Sequence, residues 1–234
     1  MDKGKLYLIP TILGEGTQGT TLPSPILKAI KEIDIFIVEN LRTARRHIKK
    51  IDREKNIDTT TFYSYGKHDT LNLEQDFLPH ILSGQDVGLL SEAGLPCVAD
   101  PGSEIVAYAH DFQIDVVPFV GPSSILLALM ASGLNGQNFA FTGYLPIDKS
   151  ERTKTIRQLE KLIKKIGQTQ IFMETPYRNN QLIEALLKTC SNNTKLCIAS
   201  DITLSTENIK TQTIDEWKQT DINIHKKPAI FLIG

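Results

Sequence analysis

Four carboxylates stand where a ligand site would use them. Glu39 follows the apolar run Asp34–Val38, and Glu174 follows Gln170–Met173. Asp201 follows Leu196–Ser200, and Asp100 lies in the loop Ser91-Glu92-Ala93-Gly94-Leu95-Pro96-Cys97-Val98-Ala99-Asp100-Pro101-Gly102. A carboxylate at the end of a buried strand can take a proton from a hydroxyl nucleophile. The plain alternative for each is a loop or cap residue. The loop itself follows the apolar segment Val87–Leu90 and holds two glycines and two prolines. Open α/β sheets bind ligands at the carboxyl ends of strands. Glycine admits a ligand to the backbone, and proline holds the loop in one shape. An ordinary strand-to-helix turn is the alternative, but such turns run only about 2–6 residues. Ser123 and Ser124 open a further helix pattern, where backbone N–H groups and hydroxyls either cap the helix or hold a polar ligand edge.

A basic helix is the second chemical feature. Arg42, Arg45, Arg46, Lys49 and Arg53 fall on one helical face, opposite an apolar stripe of Leu41, Ala44, Ile48 and Ile51. It is either a solvated outer face or a row of phosphate contacts for RNA. Tyr63, Tyr65 and His68 are either base-stacking groups or core-edge aromatics. A second basic run, Lys149 to Lys165, is interspersed with Glu151 and Glu160 and reads as an ordinary surface helix.

The elements that position these residues alternate. Strand-like runs at Lys5–Ile9, Asp34–Val38, Asp86–Leu90 and Ile114–Pro118 are separated by helix patterns, which predicts a mainly parallel sheet covered by helices. Ser24 is the expected N-cap before Pro25, and Ser103 the expected N-cap of the helix after the signature loop. Strand chemistry stops at Pro118–Pro122. Beyond it, strands at Ala140–Gly143, Gln170–Met173, Leu196–Ser200, Ile209–Thr213 and Ala229–Ile233 are expected, with helices at Ser124–Ser132, Ser150–Ile166 (ending on Gly167) and Arg178–Thr189. The last three strands lack helix-length connections, so this sheet is expected to be partly antiparallel. The reading is two α/β domains, 1–118 and 122–234, with a ligand cleft between them.

Composition removes several classes. With 41% hydrophobic and 23% charged residues in 234, the chain has a globular profile rather than a disordered one. A net charge of −1 requires any basic surface to be local. Cys97, Cys190 and Cys197 lack paired spacing, so a reducing cytosol and no metal site are expected. The apolar run Leu6–Pro10 is too short for a signal peptide or membrane span, so no membrane role is expected. No P-loop motif (G-x-x-x-x-G-K) occurs.

Five segments carry a family resemblance. Ser91–Gly102 resembles S-D-A-G-T-P-x-x-S-D-P-G, and Val120–Ser124 resembles P-G-P-S-A. Ala131–Leu134 through Phe141–Pro146 resembles A-S-G-L followed by F-x-G-F-L-P. Phe172–Arg178 resembles F-Y-E-S-P-H-R, and Pro228–Gly234 resembles a final strand. These are the marks of the tetrapyrrole methylase-like superfamily, in particular its ribosomal small subunit methyltransferase I family. The resemblance implies a tetrapyrrole methylase-like fold, with S-adenosylmethionine held in the cleft between the domains. It implies Pro10, Gly94, Leu95, Pro96, Cys97, Val98, Ser123, Ser124, Met173 and Ala229 as cofactor contacts, the bland role of Met173 and Ala229 being core packing. Glu39, Arg42 and Glu174 match motif positions and rank first as catalytic candidates. In methyl transfer the cofactor brings the activated group and the protein mainly aligns it. The implied enzyme methylates a ribose 2′-hydroxyl of ribosomal RNA as a cytoplasmic homodimer. Methylation of a small molecule such as a tetrapyrrole, or cofactor binding without catalysis, are the alternatives. The chain departs from the family in its first loop, Ile9–Thr21, at Val38-Glu39-Asn40-Leu41-Arg42, and at Ser200–Thr203.

Overall fold

Strands of the first half are apolar on both faces, and both faces are covered. The computed structural model describes residues 2–66 and 71–234. The chain divides into two units, Met1–Ser123 and Ser124–Gly234. The first runs β1 (Leu6–Ile9), α1 (Gln18–Thr21), α2 (Ser24–Glu32), β2 (Ile35–Val38), α3 (Leu41–Ile51) and β3 (Thr61–Ser64). A π-helical turn, Leu73–Phe77, then leads into α4 (Leu78–Leu82), β4 (Val87–Leu90), α5 (Ser103–Asp111) and β5 (Val116–Pro118). The sheet order is β3-β2-β4-β1-β5, and its strand pairs are all parallel.

Period-two alternation sorts the side chains into two cores. Ile9, Phe36, Val38 and Leu90 pack with Ile26 and Ile30 of α2 and Ala44 and Ile48 of α3. Leu6, Ile35, Ile37, Val87 and Leu89 pack on the other face with Ile81 of α4 and Ile105 and Ala109 of α5. The crossover after β1 therefore covers one face, and the crossover after β4 covers the other. These two strands are neighbours, in register from Leu6–Val87 to Ile9–Leu90. Their carboxyl ends form a topological switch point, where open α/β sheets open a crevice.

Local chemistry corrects two expected caps. The residue before α2 is Pro23, so Ser24 and Pro25 are its first two residues and no side chain caps it. Gly102, at φ +124°, precedes α5, and Ser103 is its first residue. Backbone closeness decides the second case: a Cβ on Gly102 would lie 2.9 Å from Leu89 Cδ2. Strand β3 was not expected; its T-F-Y-S alternation is short, and it is an edge strand paired only through β2. Lys55 is 7% exposed; its Nζ donates to Ile33 O at 2.6 Å and to Asp34 Oδ1 at 2.6 Å, and so ties the chain before β3 to the start of β2.

The second unit runs α6 (Ser124–Ser132), β6 (Phe139–Tyr144), α7 (Lys149–Ile166), β7 (Thr169–Met173), α8 (Asn179–Thr189), β8 (Lys195–Ser200), β9 (Asn208–Thr213), α9 (Ile214–Trp217) and β10 (Ala229–Ile233). Its order is β6-β7-β10-β8-β9, parallel between β6 and β7 and antiparallel elsewhere, as short connections require. Asp148 caps α7 by accepting from Ser150 N and Glu151 N, and Gly167 ends it at φ +63°. Arg178 precedes α8 instead of opening it. One face of the sheet packs Phe172, Ile198 and Phe231 against Ile156 and Leu159 of α7 and Leu182 and Leu186 of α8. No helix among the described residues is long and apolar enough to cross a membrane.

Glu160 of α7 holds this unit's turn before β8. It is 9% exposed and accepts from Ser191 N at 2.7 Å and Thr194 Oγ1 at 2.5 Å. Burial pushes its carboxyl up, but the bonds from Thr194 and Ser191, with Lys164, outweigh that and hold it below the usual range. A depressed carboxylate stabilises the fold above its ordinary pKa and loses that contribution as pH falls through the native value. Glu160→Ala also leaves the Ser191 and Thr194 donors unpaired, so it is expected to cost about 1–3 kcal/mol near neutral pH. Urea titrations at descending pH should show the gap to wild type closing under acid; a gap independent of pH would refute the assignment.

Candidate active site

A backbone bridge joins the two loops at the switch point. Thr11 N donates to Gly94 O at 2.9 Å, and Gly94 N to Thr11 O at 3.3 Å. Ser91 Oγ donates to the same Gly94 carbonyl at 2.6 Å and lies 3.3 Å from Thr11 Oγ1. Gly94 sits at φ +79°, and a Cβ there would lie 3.2 Å from Leu13 Cδ2 and 3.3 Å from Pro122 O. Only glycine meets both constraints without strain. Pro10 is buried against Gly121, where a Cβ would fall 2.3 Å from Pro10 Cβ. Pro10, Gly94 and the Pro122–Ser123 segment are thus brought together within the first unit.

Downstream of the bridge the loop is strained. Cys97 has φ +65° and Ala99 φ +62°, conformations that cost a non-glycine residue roughly 1–2 kcal/mol each. Such strain persists only where the surroundings over-determine it, and it concentrates at ligand sites. Pro96 is buried, Leu95 and Cys97 are half-buried, and Val98 and Ala99 are exposed. Ser123 is buried, and Ser124 opens α6.

Three carboxylates gather beside this loop. Glu39, at the end of β2, is half-buried, and its Oε1 is buried with no hydrogen-bond partner among the described residues. Burial first, then Asp100 and Glu92, push its carboxyl up to about 7. Asp100 is pushed up to about 6 by burial and by Glu92, and its Oδ2 is also buried and unpartnered. Burial and Asp100 raise the Cys97 thiol as well. Glu92 accepts from Thr43 Oγ1 of α3 at 2.6 Å. Its contribution was missed in the sequence, where it reads as one letter of the loop; only the fold brings it to α3. Asn40 caps α3 by accepting from Arg42 N and Thr43 N, which places Arg42, exposed, in the first turn. Carboxylates that are half-ionised near neutral pH, with buried unpaired oxygens, can accept a proton or draw a cation.

Other expected residues lie elsewhere. Glu174 belongs to the second unit. It is 5% exposed, and its Oε1 accepts from Arg178 Nη2 at 2.6 Å, Arg178 Nε at 3.0 Å and Thr175 N at 2.7 Å. That is a loop clamp. Asp201 pairs with Lys227 at 2.8 Å and accepts from Thr206 Oγ1 at 2.9 Å, at φ +52°, and so holds a turn. Met173, half-buried, and Ala229, buried, lie on the adjacent strands β7 and β10. The basic stripe is interrupted. Arg53 lies past the end of α3, where its carbonyl accepts from Lys49 Nζ at 2.8 Å, and Arg45 stacks over Phe62 at 5.2 Å. Tyr63 and Tyr65 are core-edge aromatics: their hydroxyls bond His80 Nε2 and Glu104 Oε2, each at 2.9 Å. His68 lies outside the described residues.

Known proteins share this framework. A family model described as Tetrapyrrole (Corrin/Porphyrin) Methylases matches residues 26–218. Three similar proteins are each named "Ribosomal RNA small subunit methyltransferase I". The one from Vibrio cholerae is 29% identical over 231 residues, covering 97% of this chain and 76% of its own length. That from Bacillus subtilis is 31% identical over 225 residues, covering 94% and 72%. That from Mesorhizobium japonicum is 34% identical over 209 residues, covering 89% and 67%. A match across both sheets, together with a strained glycine loop at the switch point of the first, leads to one assignment: the chain belongs to the tetrapyrrole (corrin/porphyrin) methylase family.

Proposed function

We propose that this chain is an S-adenosylmethionine-dependent methyltransferase that methylates a ribose 2′-hydroxyl of small-subunit ribosomal RNA in the cytosol. The names of its relatives support the substrate. The chemistry rests on the neighbouring Glu39 and Asp100, each with a buried oxygen that lacks a partner among the described residues and a carboxyl pushed up, to about 7 and about 6. The cofactor fits these surroundings: its sulfonium is cationic, and two unpaired carboxylates offer it counter-charge. Gly94, Leu95, Pro96, Cys97 and Val98 would hold it with backbone and apolar groups, beside Pro10, Ser123 and Ser124. Met173 and Ala229 are assigned to the same ligand. When bound, it supplies the activated methyl group. Glu39 accepts the proton of the attacking hydroxyl, and Arg42 steadies the substrate from the first turn of α3. Glu174 is a positioning residue through its clamp on Arg178. Helix α6 leaves Met130 77% exposed, which supports a homodimer closing over this apolar surface.

The reading is tested by incubating purified protein with tritiated S-adenosylmethionine and separate RNA, protein and small-molecule fractions. Label should enter small-subunit ribosomal RNA with wild type and not with Gly94→Val. A β-branched residue at φ +79° cannot keep the loop in place. Label confined to a tetrapyrrole fraction would overturn the substrate; an active Gly94→Val would overturn the site. As to pH, a protonated base is idle in acid, and the bound sulfonium draws Glu39 below its ligand-free value of about 7, so single-turnover rates should rise about tenfold per unit in acid and level off below that value. Glu39→Gln should lose about 10²–10⁴-fold and flatten the profile; an unaltered profile removes Glu39 from the role. Sedimentation should show a dimer that Met130→Glu dissociates, whereas an unchanged sedimentation coefficient would exclude that surface.

A further inference from the structure

Beside the carboxylates, a concavity of about 170 Å³ opens between the first βα loop and α3. Glu15 lines it from the loop tip; Thr43, Arg46, His47 and Lys50 line it from α3, and Glu92 from the loop after β4. Glu15 spans two cations: Arg46 Nη2 lies 3.1 Å from its Oε1, and Lys50 Nζ 3.3 Å from its Oε2. One anion bridging two cations a helical turn apart is the arrangement a phosphate group makes. Both pairs reach solvent, so each contributes little and exchanges readily. Glu15 is flanked by Gly14 and Gly16, the latter at φ +85°, which gives the tip freedom to move. Glu92 is already engaged by Thr43. His47 Nε2 is buried with no hydrogen-bond partner among the described residues. Burial, then Lys50, lower the imidazole to about 4, so at neutral pH it offers a ligand a neutral donor or acceptor.

We propose that Arg46 and Lys50 form a subsite for a backbone phosphate of the RNA substrate, and that Glu15 is its built-in competitor, displaced when that phosphate binds. The proposal rests on the RNA reading above. Arg42, Arg46 and Lys50 follow one another at four-residue steps, about 6 Å each along the helix. This row starts three residues from Glu39 and leads outward. A strand bound along it carries its next nucleotides toward the carboxylates. Arg45 and Lys49, occupied by Phe62 and by the Arg53 carbonyl, are not part of the row.

The test measures binding of purified small-subunit ribosomal RNA over a range of salt concentrations, with S-adenosylmethionine affinity measured in parallel by calorimetry. Glu15→Gln should tighten RNA binding roughly three- to tenfold at low salt. It should also steepen the log–log salt slope, by at most about 0.7, the value of one phosphate contact, because wild type keeps the displaced Glu15 charge beside that phosphate and the variant does not. Arg46→Gln/Lys50→Gln should weaken RNA binding, and adding Glu15→Gln to that pair should bring no gain. Cofactor affinity should be the same in all of them. Unchanged or weaker RNA binding by Glu15→Gln overturns the subsite, as does an equal gain without Arg46 and Lys50. A shift in cofactor affinity would mean that the cations hold its carboxylate instead. Wild type that binds RNA while ignoring these substitutions sinks the subsite alone; wild type that binds no RNA sinks the RNA reading with it.

Discussion

Two backbone hydrogen bonds between Thr11 and Gly94 carry the first unit's functional end. β1 and β4 lie side by side, yet their crossovers depart to opposite faces, toward α2 and α5. Nothing in the sheet itself holds two diverging loops together. The bridge does, and Ser91 reinforces it from below by donating to the same carbonyl. With Gly94 anchored, the chain can afford the left-handed backbone at Cys97 and Ala99, since relaxing either would pull on a fixed point. Pro122 and Gly121 close on the same place from the end of the unit, against Leu13 and Pro10. Removing the glycine hydrogen at 94 in favour of any side chain therefore disturbs three loops at once.

The electrostatics of the carboxylates follow from that geometry. β2 and β4 are adjacent and parallel, so Glu39 and the residues after Leu90 emerge at the same edge. The strained loop then folds Asp100 back beside Glu39 and Glu92. Burial is the larger cause of both upward shifts, and like charge adds to it. A buried carboxylate commonly finds an arginine, as Glu174 finds Arg178. Here α3 presents its charges outward, and Glu15 and Phe62 engage three of them, Arg46, Lys50 and Arg45. Among the described residues nothing compensates Glu39, which leaves that place open to a ligand.

Much of this was legible in the sequence because it is local. The apolar runs of the parallel sheet, the antiparallel chemistry of the last strands and the stop at Gly167 depend on neighbours a few residues apart. What escaped was long-range or a matter of crowding. Ser103 is a good cap by type, but the approach of Leu89 gives the cap position to Gly102. Lys55 looks like a surface residue until its ammonium is seen holding the carbonyl of Ile33. Glu92 and Glu15 matter only because the fold brings each against α3, and no spacing announces that. The helical face from Arg42 to Lys49 was real as geometry. What the sequence did not show is that Phe62, on a strand not foreseen, stacks against Arg45.

The two loops at the switch point are built to opposite specifications. The one after β4 is over-determined, with prolines, a buried glycine at each end and strained residues between, as suits a ligand that is always the same. The one after β1 is pinned at its root by Thr11; beyond Gly14 it is exposed to half-buried, rich in glycine and threonine, and held to α3 through solvent-accessible ion pairs. It also precedes Ile26, where the match to the family model begins. Ion pairs of this kind contribute little to stability, so their value lies in being breakable. Under the proposed function, a rigid loop would fix one reactant beside a loosely latched one that yields to a polyanion, the division of labour a methyltransferase needs when its donor is small and its acceptor is large.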